Sequence, residues 1–599
     1  MEQYKIKKYS IYQLLIAILK KISKKRKFQL LILFILILAS SISEIISLAL
    51  IIPFLTIISN PEKLLEFDFI KNINTYLNFE NPSEFIIPVT FIFCLSSILS
   101  AVLRLGTFWT NGKLAATIGG DIGSEAYYKS LQQSYEKYIN SNSSEIISAL
   151  NIHIDTVISF INFVLNIFSS FFILLGVALT LLTINTRVAL LIGIFMGGFY
   201  ILIGYATENR LKTNSREITF HSNENTKIIQ EGYGSFRDII LDKSQKIYLD
   251  IFRRTFYPYR NLRAQNNFLG VFPKFIIEAF GICIISLVAL SLSSSNGNFT
   301  NAFTTLGVFA LGAQKILPSI QNIYGSISGM RGGKNSVEII IFLLNQSTPN
   351  KSYNAKNNSY NFTEKIVFDN ISYKYSEKSN FVLKNICFEI NKGEKVGIIG
   401  ETGSGKSTTV DLLMGLLKPT KGKIIIDGRN LNEQSNNIFL SRWQSSIGHV
   451  PQSIYLTDRS IAENIAFNQK KEEIDINAVK LAAKKAQISE FIESMPNEYF
   501  SSIGERGIKL SGGQRQRIGI ARALYKGARI LIFDEATSAL DDRTEKKLMK
   551  TLNDLSKYLT VIMIAHRLTT IKDCDKLIKL KDGKVEAIGK PNEVLKLNN

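Results

Sequence analysis

Cysteine is scarce in this chain, and acidic residues are few relative to basic ones. The four cysteines, at positions 94, 283, 387 and 574, lie too far apart for a metal or redox pair, so we interpret all four as structural. Lysine and arginine total 71 against 50 aspartates and glutamates, a formal net charge of +21. Such an excess indicates nucleic-acid binding, attraction to an anionic membrane surface, or simply the composition of a proteome rich in Lys, Asn and Ile.

The position of the positive charge favours the membrane. A basic cluster precedes the first long apolar run, which is typical of the cytoplasmic flank of a membrane helix and makes nucleic acid the weaker interpretation. The cluster consists of Lys5, Lys7, Lys8, Lys20, Lys21, Lys24, Lys25, Arg26 and Lys27. We therefore expect membrane lipid, and no nucleic acid, among the partners.

The first apolar run is expected to remain in the mature protein and not to be a cleavable signal peptide. The first apolar run, Phe28 to Ser59, is too long for the apolar region of a signal peptide, and no small-residue cleavage site follows it. Six apolar stretches reach the ~20 residues that a helix needs to cross a bilayer. They lie near residues 28–58, 85–111, 157–184, 187–207, 267–293 and 303–330.

Six spans put both termini on one side of the membrane. The lysines and arginines of the segments 112–156 and 208–266 predict that this side is cytoplasmic. We expect these segments to continue the helices beyond the bilayer and to present turns, at Tyr138–Ser143 and Gly232–Asp242, to a soluble domain. The predicted location is the inner (plasma) membrane, multi-pass, with both termini and the soluble domain cytoplasmic.

Composition divides the chain into four segments. Residues 1–27 predict an interfacial helix, and 28–344 form the membrane domain. The polar, Asn-rich segment 345–360 is a linker. Short β-branched runs between glycine-rich turns and charged helices then predict an α/β domain over 361–599.

The α/β domain contains a phosphate-binding loop. A buried strand, the pattern G-x-x-x-x-G-K-S and a helix follow one another in the context that this motif requires. Backbone N–H groups of the loop face the phosphates, Lys406 reaches the β and γ oxygens, and the Ser407 hydroxyl is a ligand for Mg²⁺. We define the phosphate loop as residues 400–408; its predicted ATP contacts are Gly400, Thr402, Gly403, Ser404, Gly405, Lys406, Ser407 and Thr408.

A second apolar strand, in "ARILIFDEATSALD", ends in two acids. An acid at the end of such a strand meets the metal, and the next acid can polarise the attacking water. We predict that Asp534 helps to hold Mg²⁺ and that Glu535 is the general base.

With these motifs the soluble half resembles the ATP-binding cassette family. The signature "LSGGQ" covers Leu510 to Gln514, and "SALD" covers Ser538 to Asp541. The resemblance implies that Gln452 of "VPQ" contacts the metal and the nucleotide, that His566 of "IAHR" is a catalytic switch residue, and that Tyr375 stacks on adenine. The implied nucleotide contacts at the signature are Ser511, Gly512, Gly513 and Gln514.

The same resemblance implies a dimer. In this family the signature of one subunit contacts the γ-phosphate held by the phosphate loop of the other. One cassette and six spans therefore imply a half-transporter of the type I exporter fold, which works as a homodimer. A heterodimer with a related chain remains open at this point.

Charged residues inside the apolar stretches are candidates for substrate contacts. Charge is expensive in hydrocarbon, so an intramembrane charge is a functional hypothesis by default. The alternatives are a simple Lys274–Glu278 pair four residues apart, and an Arg104 that reaches the interface. The candidate substrate residues are Glu44, Arg104, Lys274, Glu278 and Lys315.

Arginine and lysine in a translocation path favour an anionic headgroup. The stretches "SEIISLALIIPFL", "FPKFIIEAFGI" and "QKILPSIQNIYGSIS" also resemble those of PglK-type flippases for lipid-linked oligosaccharides. This resemblance implies flipping of a polyprenyl-diphosphate-linked glycan from the inner to the outer leaflet. Lipid A or phospholipid flippases, multidrug exporters and, more remotely, an ATP-gated channel or regulator share the overall plan and remain alternatives.

Overall fold

A computed structural model of the chain describes residues 9–59, 85–184, 186–295, 299–346, 359–433, 437–535, 543, 545–547, 550, 559–564 and 571–596. Contacts between Cα atoms divide the chain into two compact units. The first comprises Met1–Gln133 and Ser141–Ser347, and the second comprises Ser134–Asn140 and Thr348–Asn599. Most of the predicted linker, 345–360, lies outside the described residues.

The first unit is helical. It opens with a short helix, α1, that starts at a capping box: the Ser10 hydroxyl accepts from the Gln13 N–H at 3.2 Å, and the Gln13 carboxamide accepts from the Ser10 N–H at 2.9 Å. The helices in order are α1 Ile11–Lys21, α2 Lys24–Ala49, α3 Ile51–Ser59, α4 Ile86–Leu131, α6 Ser143–Ser148, α7 Ile154–Ile184, α8 Thr186–Gly234, α9 Phe236–Leu241, α10 Gln245–Ser295 and α11 Phe299–Leu344, with α5 Tyr135–Ile139 in the second unit.

Long helices pack side by side to make the first unit. Helix α11 packs against α7, α8 and α10, and α2 packs against α4 and α7. Within the described residues, three stretches are long and apolar enough to span a membrane: Lys24–Leu55, Ile86–Leu131 and Ser143–Thr183. Helices α4, α8, α10 and α11 all run past the apolar stretches predicted for them, which agrees with the expected continuation of helices beyond the bilayer.

The two predicted cytoplasmic turns contain short helices. Helix α5 ends one residue before Asn140, and α9 lies between α8 and α10. The side chains of Tyr233, Phe236 and Leu241 are exposed around α9. Apolar side chains at such a turn are candidates for a contact surface.

The second unit contains two sheets. An antiparallel sheet has the order β2-β1-β4-β5, and a six-stranded sheet has the order β10-β9-β3-β8-β7-β6, in which all pairs are parallel except β10 with β9. The strands are β1 Lys365–Tyr373, β2 Leu383–Asn391, β3 Lys395–Gly400, β4 Lys421–Ile426, β5 Arg429–Asn430, β6 Ile447–Val450, β7 Ile530–Asp534, β8 Thr560–Ile564, β9 Lys576–Lys581 and β10 Lys584–Gly589.

Helices cover both faces of the six-stranded sheet. Its buried strands are almost continuously apolar, as expected of a parallel sheet covered on both sides. The helices are α12 Lys406–Leu413, α13 Asn437–Ser445, α14 Ile461–Ile465, α15 Ile476–Lys485, α16 Ser489–Glu493, α17 Gly512–Tyr525 and α18 Pro591–Lys596.

Alternation along β7 separates two hydrophobic cores. Ile530 and Ile532 belong to the core that contains α12, whereas Leu531 and Phe533 belong to the core that contains α17. Successive side chains of a strand point to opposite faces of a sheet. Helix α12, which follows the phosphate loop, and α17, which follows the signature, therefore cover opposite faces of the same sheet.

Candidate functional site

The phosphate loop follows β3, which lies between β8 and β9 in the six-stranded sheet. Gly400, Gly403 and Gly405 have φ angles of +150°, +83° and +99°, all in the range that glycine tolerates best. A Cβ on Gly400 would lie 2.2 Å from the carbonyl oxygen of Leu580. The loop can therefore approach β9 this closely only with glycine at this position.

Two side chains of the loop have contrasting environments. Lys406 is 7% exposed, and its ammonium donates to the carbonyl oxygens of Gly400 and Glu401, each at 2.9 Å. An ammonium has three donors, so the loop's own carbonyls account for two of them. Ser407, by contrast, is exposed at the first turn of α12. Its hydroxyl is accessible to a ligand.

The rest of the loop combines buried and exposed positions. Thr402 and Gly403 are exposed, while Ser404 and Thr408 are buried. The Thr408 hydroxyl lies 3.0 Å from the Tyr375 hydroxyl, and the half-buried Tyr375 ring meets the ring of Tyr373 edge to face. Tyr375 is thus attached to the first turn of the phosphate helix.

The acidic end of β7 is connected to Gln452. The Gln452 carboxamide donates to Glu535 Oε2 at 2.7 Å. The Glu535 backbone has a φ of +50°, and its N–H donates to the carbonyl of Ile564 at 3.1 Å. A left-handed conformation at a residue other than glycine costs of order 1–3 kcal/mol and is concentrated at functional sites. The residue predicted to be the general base is therefore held in a strained backbone conformation.

Asp411 is an acidic neighbour that sequence reasoning missed. Burial and, secondly, the charge of Asp534 raise the pKa of the Asp411 carboxyl to about 6. The signal was present in the sequence, because Asp411 follows Ser407 by four residues and so lies on the same face of α12. Two carboxyl groups and a hydroxyl therefore belong to one region of the site.

The signature begins α17 with a capping box. The Ser511 hydroxyl accepts from the Gln514 N–H at 3.2 Å, and the Gln514 carboxamide accepts from the Ser511 N–H at 2.8 Å. Gly512 and Gly513 form the first helical turn, whose unpaired N–H groups and dipole favour an anion. Both His566 and the segment Ser538–Asp541 lie outside the described residues.

The first unit contains a separate polar cavity of about 470 Å³. Three of the five predicted substrate residues line it, one each from α2, α4 and α11: Glu44, Arg104 and Lys315. Glu44 Oε1 accepts from Lys315 Nζ at 2.7 Å and from Arg104 Nη1 at 3.3 Å. These three charges, which are far apart in sequence, thus form one cluster.

Lys274 and Glu278 are not part of this cavity. Both side chains are exposed on α10, and the described residues show no ion pair between them. Of the five candidate substrate residues, these two therefore lie outside the cavity that the other three line. The reason is the direction of each side chain: Ile277 of α10 faces the interior, and its charged neighbours face outward.

The cavity also contains uncharged polar residues that sequence reasoning missed. Helical spacing signals them, because residues three or four apart share a face. On α4 the polar positions Thr107 and Asn111 follow Arg104, and on α11 Ser319 and Asn322 follow Lys315.

Comparison with known proteins identifies the second unit. Residues 383–538, from β2 to beyond β7, match the family described as ABC transporter. This part of the chain is an ABC transporter domain. The domain binds and hydrolyses ATP, and the hydrolysis is coupled to transport.

A match of 460 residues is longer than the second unit and so extends the similarity into the first. The chain is 28% identical over these residues to an ATP-dependent lipid A-core flippase of Cupriavidus pinatubonensis, covering 74% of this chain and 76% of the relative. It is 42% identical over 253 residues to the leukotoxin translocation ATP-binding protein LktB of a Pasteurella haemolytica-like species, covering 42% of this chain and 35% of LktB.

A solved structure resembles nearly the whole fold. The structure of a bacterial Atm1-family ABC exporter with ATP bound superimposes with a TM-score of 0.77 at 20% sequence identity, covering 96% of each chain. The predicted fold class, an α-helical membrane domain of an exporter followed by an α/β cassette, is confirmed. The transporter is a membrane-spanning exporter in fold.

Proposed function

We propose that this ABC transporter flips an amphipathic lipid with an anionic headgroup from the inner to the outer leaflet. The observation that supports this most is the polar cavity, in which Arg104 and Lys315 are 61% and 37% exposed while their shared partner Glu44 is 2% exposed. Guanidinium and ammonium groups are the donors that phosphate and diphosphate prefer. Of the lipids with such headgroups, we propose a polyprenyl-diphosphate-linked oligosaccharide.

A second candidate is a lipid A-core. It is favoured by several relatives of 28% identity that cover about three quarters of this chain and are described as ATP-dependent lipid A-core flippases. Both candidates are amphipathic lipids, so both use the cavity for the headgroup and leave the apolar chains in the bilayer. They differ in the glycan or core that the headgroup carries.

In the proposed nucleotide site, Tyr375 stacks on adenine and the phosphate loop holds the phosphates. The N–H groups of Gly403 and Gly405 face the β-phosphate, and Lys406 reaches the β and γ oxygens. The attacking water gives a proton to Glu535 as its oxygen bonds to the γ-phosphorus, and the bond to the β–γ bridging oxygen breaks. His566 contacts the γ-phosphate.

The residues present fit Mg²⁺. Ser407, Gln452 and Asp534 offer oxygen ligands, which this hard cation prefers. Burial and, secondly, the charge of Asp534 raise the pKa of Asp411, so two carboxyl groups lie close enough here to attract a cation. When bound, Mg²⁺ neutralises developing charge on the phosphate oxygens.

We infer a homodimer in which Ser511, Gly512, Gly513 and Gln514 of one subunit complete the ATP site of the other. The opposite placement of α12 and α17 on the sheet supports this, because it separates the signature helix from the phosphate helix of the same chain. The exposed apolar residues around α9 support a role of this turn as a contact surface. ATP closes the cassettes, and hydrolysis resets the dimer.

The four sequence segments keep their proposed roles: interfacial helix 1–27, membrane domain 28–344, linker 345–360 and nucleotide-binding domain 361–599. The proposed location is the inner membrane, with both termini cytoplasmic. The basic flank before α2 supports this orientation by the positive-inside rule.

The test is ATP-dependent flipping in proteoliposomes. A short-chain polyprenyl-diphosphate glycan and a lipid A-core are assayed in parallel for loss from the leaflet that faces the cassettes. We expect Glu535→Gln to stop both hydrolysis and flipping, and Lys315→Gln to reduce flipping while leaving basal ATP hydrolysis intact. Lys274→Gln, which changes an intramembrane lysine outside the cavity, is the matched control and should flip normally.

The results distinguish the candidates. Flipping of the diphosphate glycan alone supports the first candidate, and flipping of the lipid A-core alone supports the second. Robust ATP hydrolysis without flipping of either lipid would refute the lipid proposal and redirect attention to a drug-like substrate.

A further inference from the structure

The charge cluster of the polar cavity has an unusual arrangement. Its carboxylate is almost fully buried, while its two cations reach into the cavity. One oxygen of Glu44, Oε1, accepts from both Arg104 and Lys315, and the other, Oε2, is buried with no hydrogen-bond partner among the described residues. The carboxylate therefore lies behind the cations as their internal counter-ion.

Only these three charged side chains occur among the described residues that line the cavity. Two cations and one carboxylate leave a formal net charge of +1. The remaining polar lining consists of hydroxyl and amide side chains. The cavity is therefore attractive to anions, but one of its two positive charges is already compensated.

An anionic headgroup must compete with Glu44 for the cations. Glu44 is tethered beside them, so its effective concentration is high. Separating it from both cations would leave a buried unpaired charge, which is costly. A phosphodiester carries the same single charge as the carboxylate, and so it gains no advantage. A phosphomonoester or a diphosphate brings further negative charge and additional acceptor oxygens.

This difference matters in a bilayer, where phosphodiester lipids surround the protein in large excess. Two uncompensated cations in a membrane cavity would bind any anionic phospholipid. The cavity would then be filled with bulk lipid before the substrate arrived.

We propose that Glu44 is a specificity-determining residue, an internal counter-ion that keeps monoanionic phosphodiester lipids out of the cavity and admits headgroups with two or more negative charges. The proposal rests on the proposed function, because it takes the cavity as the headgroup site. It adds a substrate criterion, since a lipid that is flipped must carry a terminal phosphate or a diphosphate.

The experiment compares two lipids with identical acyl chains. Phosphatidylglycerol is a monoanionic phosphodiester, and phosphatidic acid is a phosphomonoester. Full-length protein in nanodiscs of neutral phosphatidylcholine is titrated with each lipid, and displacement of a fluorescent phosphatidic acid gives the affinity. Wild type should bind phosphatidic acid and show no displacement by phosphatidylglycerol.

Removing the counter-ion should admit the phosphodiester. In Glu44→Gln we expect the affinity for phosphatidylglycerol to rise at least about tenfold, or about 1.4 kcal/mol, comparable to one charge-assisted hydrogen bond. This gained binding should disappear in the double variant Glu44→Gln with Lys315→Gln. Glu44→Asp, which keeps the charge, should exclude phosphatidylglycerol as wild type does.

Glu278→Gln, at an intramembrane glutamate outside the cavity, is the matched control and should behave as wild type. If Glu44→Gln does not purify as a folded protein, the smaller Glu44→Ser carries the same expectation. The counter-ion role is overturned if phosphatidylglycerol binds wild type and Glu44→Gln equally well. If Lys315→Gln binds phosphatidic acid as tightly as wild type, the proposal that the cavity is the headgroup site is refuted.

Discussion

Replacing Gly400 by alanine tests the geometry of the phosphate loop more directly than changing a charged residue does. Gly400 has a φ of +150°, and an added Cβ would lie 2.2 Å from the Leu580 carbonyl oxygen. Gly400 and Leu580 are paired residues of β3 and β9, so the obstacle is strand backbone that cannot move without loss of the ladder. Gly403 is the matched control: its φ is +83°, but nothing lies within 4 Å of an added Cβ.

The two substitutions differ in expected cost. Gly403→Ala suffers only conformational strain, about 1–2 kcal/mol. Gly400→Ala suffers strain of about 1–3 kcal/mol and, in addition, a steric penalty of about 1–3 kcal/mol as the loop moves away from β9. The difference is about 2 kcal/mol, which corresponds to a difference of about thirtyfold in the ATP dissociation constant.

A fluorescent ATP analogue, titrated into detergent-solubilised protein, measures the difference. Lys406→Ala, which lacks the phosphate-binding ammonium, gives the background fluorescence in the absence of specific ATP binding. We expect Gly400→Ala to bind ATP about thirtyfold more weakly than Gly403→Ala. Equal affinities for the two variants would refute the argument, because they would mean that the approach of the loop to β9 does not control the position of the phosphate-binding N–H groups.

Three further predictions concern the same unit. The pKa of the Asp411 carboxyl is raised from 3.8 to about 6 in the folded protein, so its ionisation opposes folding. The contribution of this carboxyl to stability is therefore greatest below about pH 4 and is lost as the pH rises through 6. Asp411→Asn should therefore melt at a higher temperature than wild type at pH 7 in metal-free buffer, and at nearly the same temperature at pH 4; an unchanged difference across this range would contradict the prediction. Ser511→Ala removes a capping hydroxyl and should lower the free energy of unfolding by about 1 kcal/mol. Ser460→Ala, at the equivalent capping box of α14, is the control and should lower it by the same amount. In a turnover assay only the Ser511 variant should lose ATP hydrolysis. Tyr375→Phe keeps the ring and loses only the hydrogen bond to Thr408, so the affinity for ATP should change little. Tyr375→Ala should weaken ATP binding about tenfold, because stacking of about 1–3 kcal/mol is lost. Equal affinities of the two variants in an ATP titration would exclude the stacking role.

Local features of the nucleotide site could be predicted because each is built from neighbouring residues. The phosphate loop needs a strand, three glycines and a helix start within about a dozen positions, and the sequence contains all of them in order. The signature helix begins where Ser511 and Gln514 can form a capping box three residues apart. Helix length follows from the extent of the apolar runs and the 1.5 Å rise per residue.

Relations between distant segments were decided by the tertiary structure. Glu44, Arg104 and Lys315 come together, whereas Lys274 and Glu278, with the same residue types in equally apolar surroundings, do not. The sequence alone determined which charged residues lie within the apolar helices. Packing of α2, α4 and α11 decided which of them share a cavity, because the face that a helix buries depends on its neighbours. In the same way, the strand alternation of β7 put the two phosphate-binding motifs on opposite faces of one sheet, a result of pairing that neither motif contains in itself.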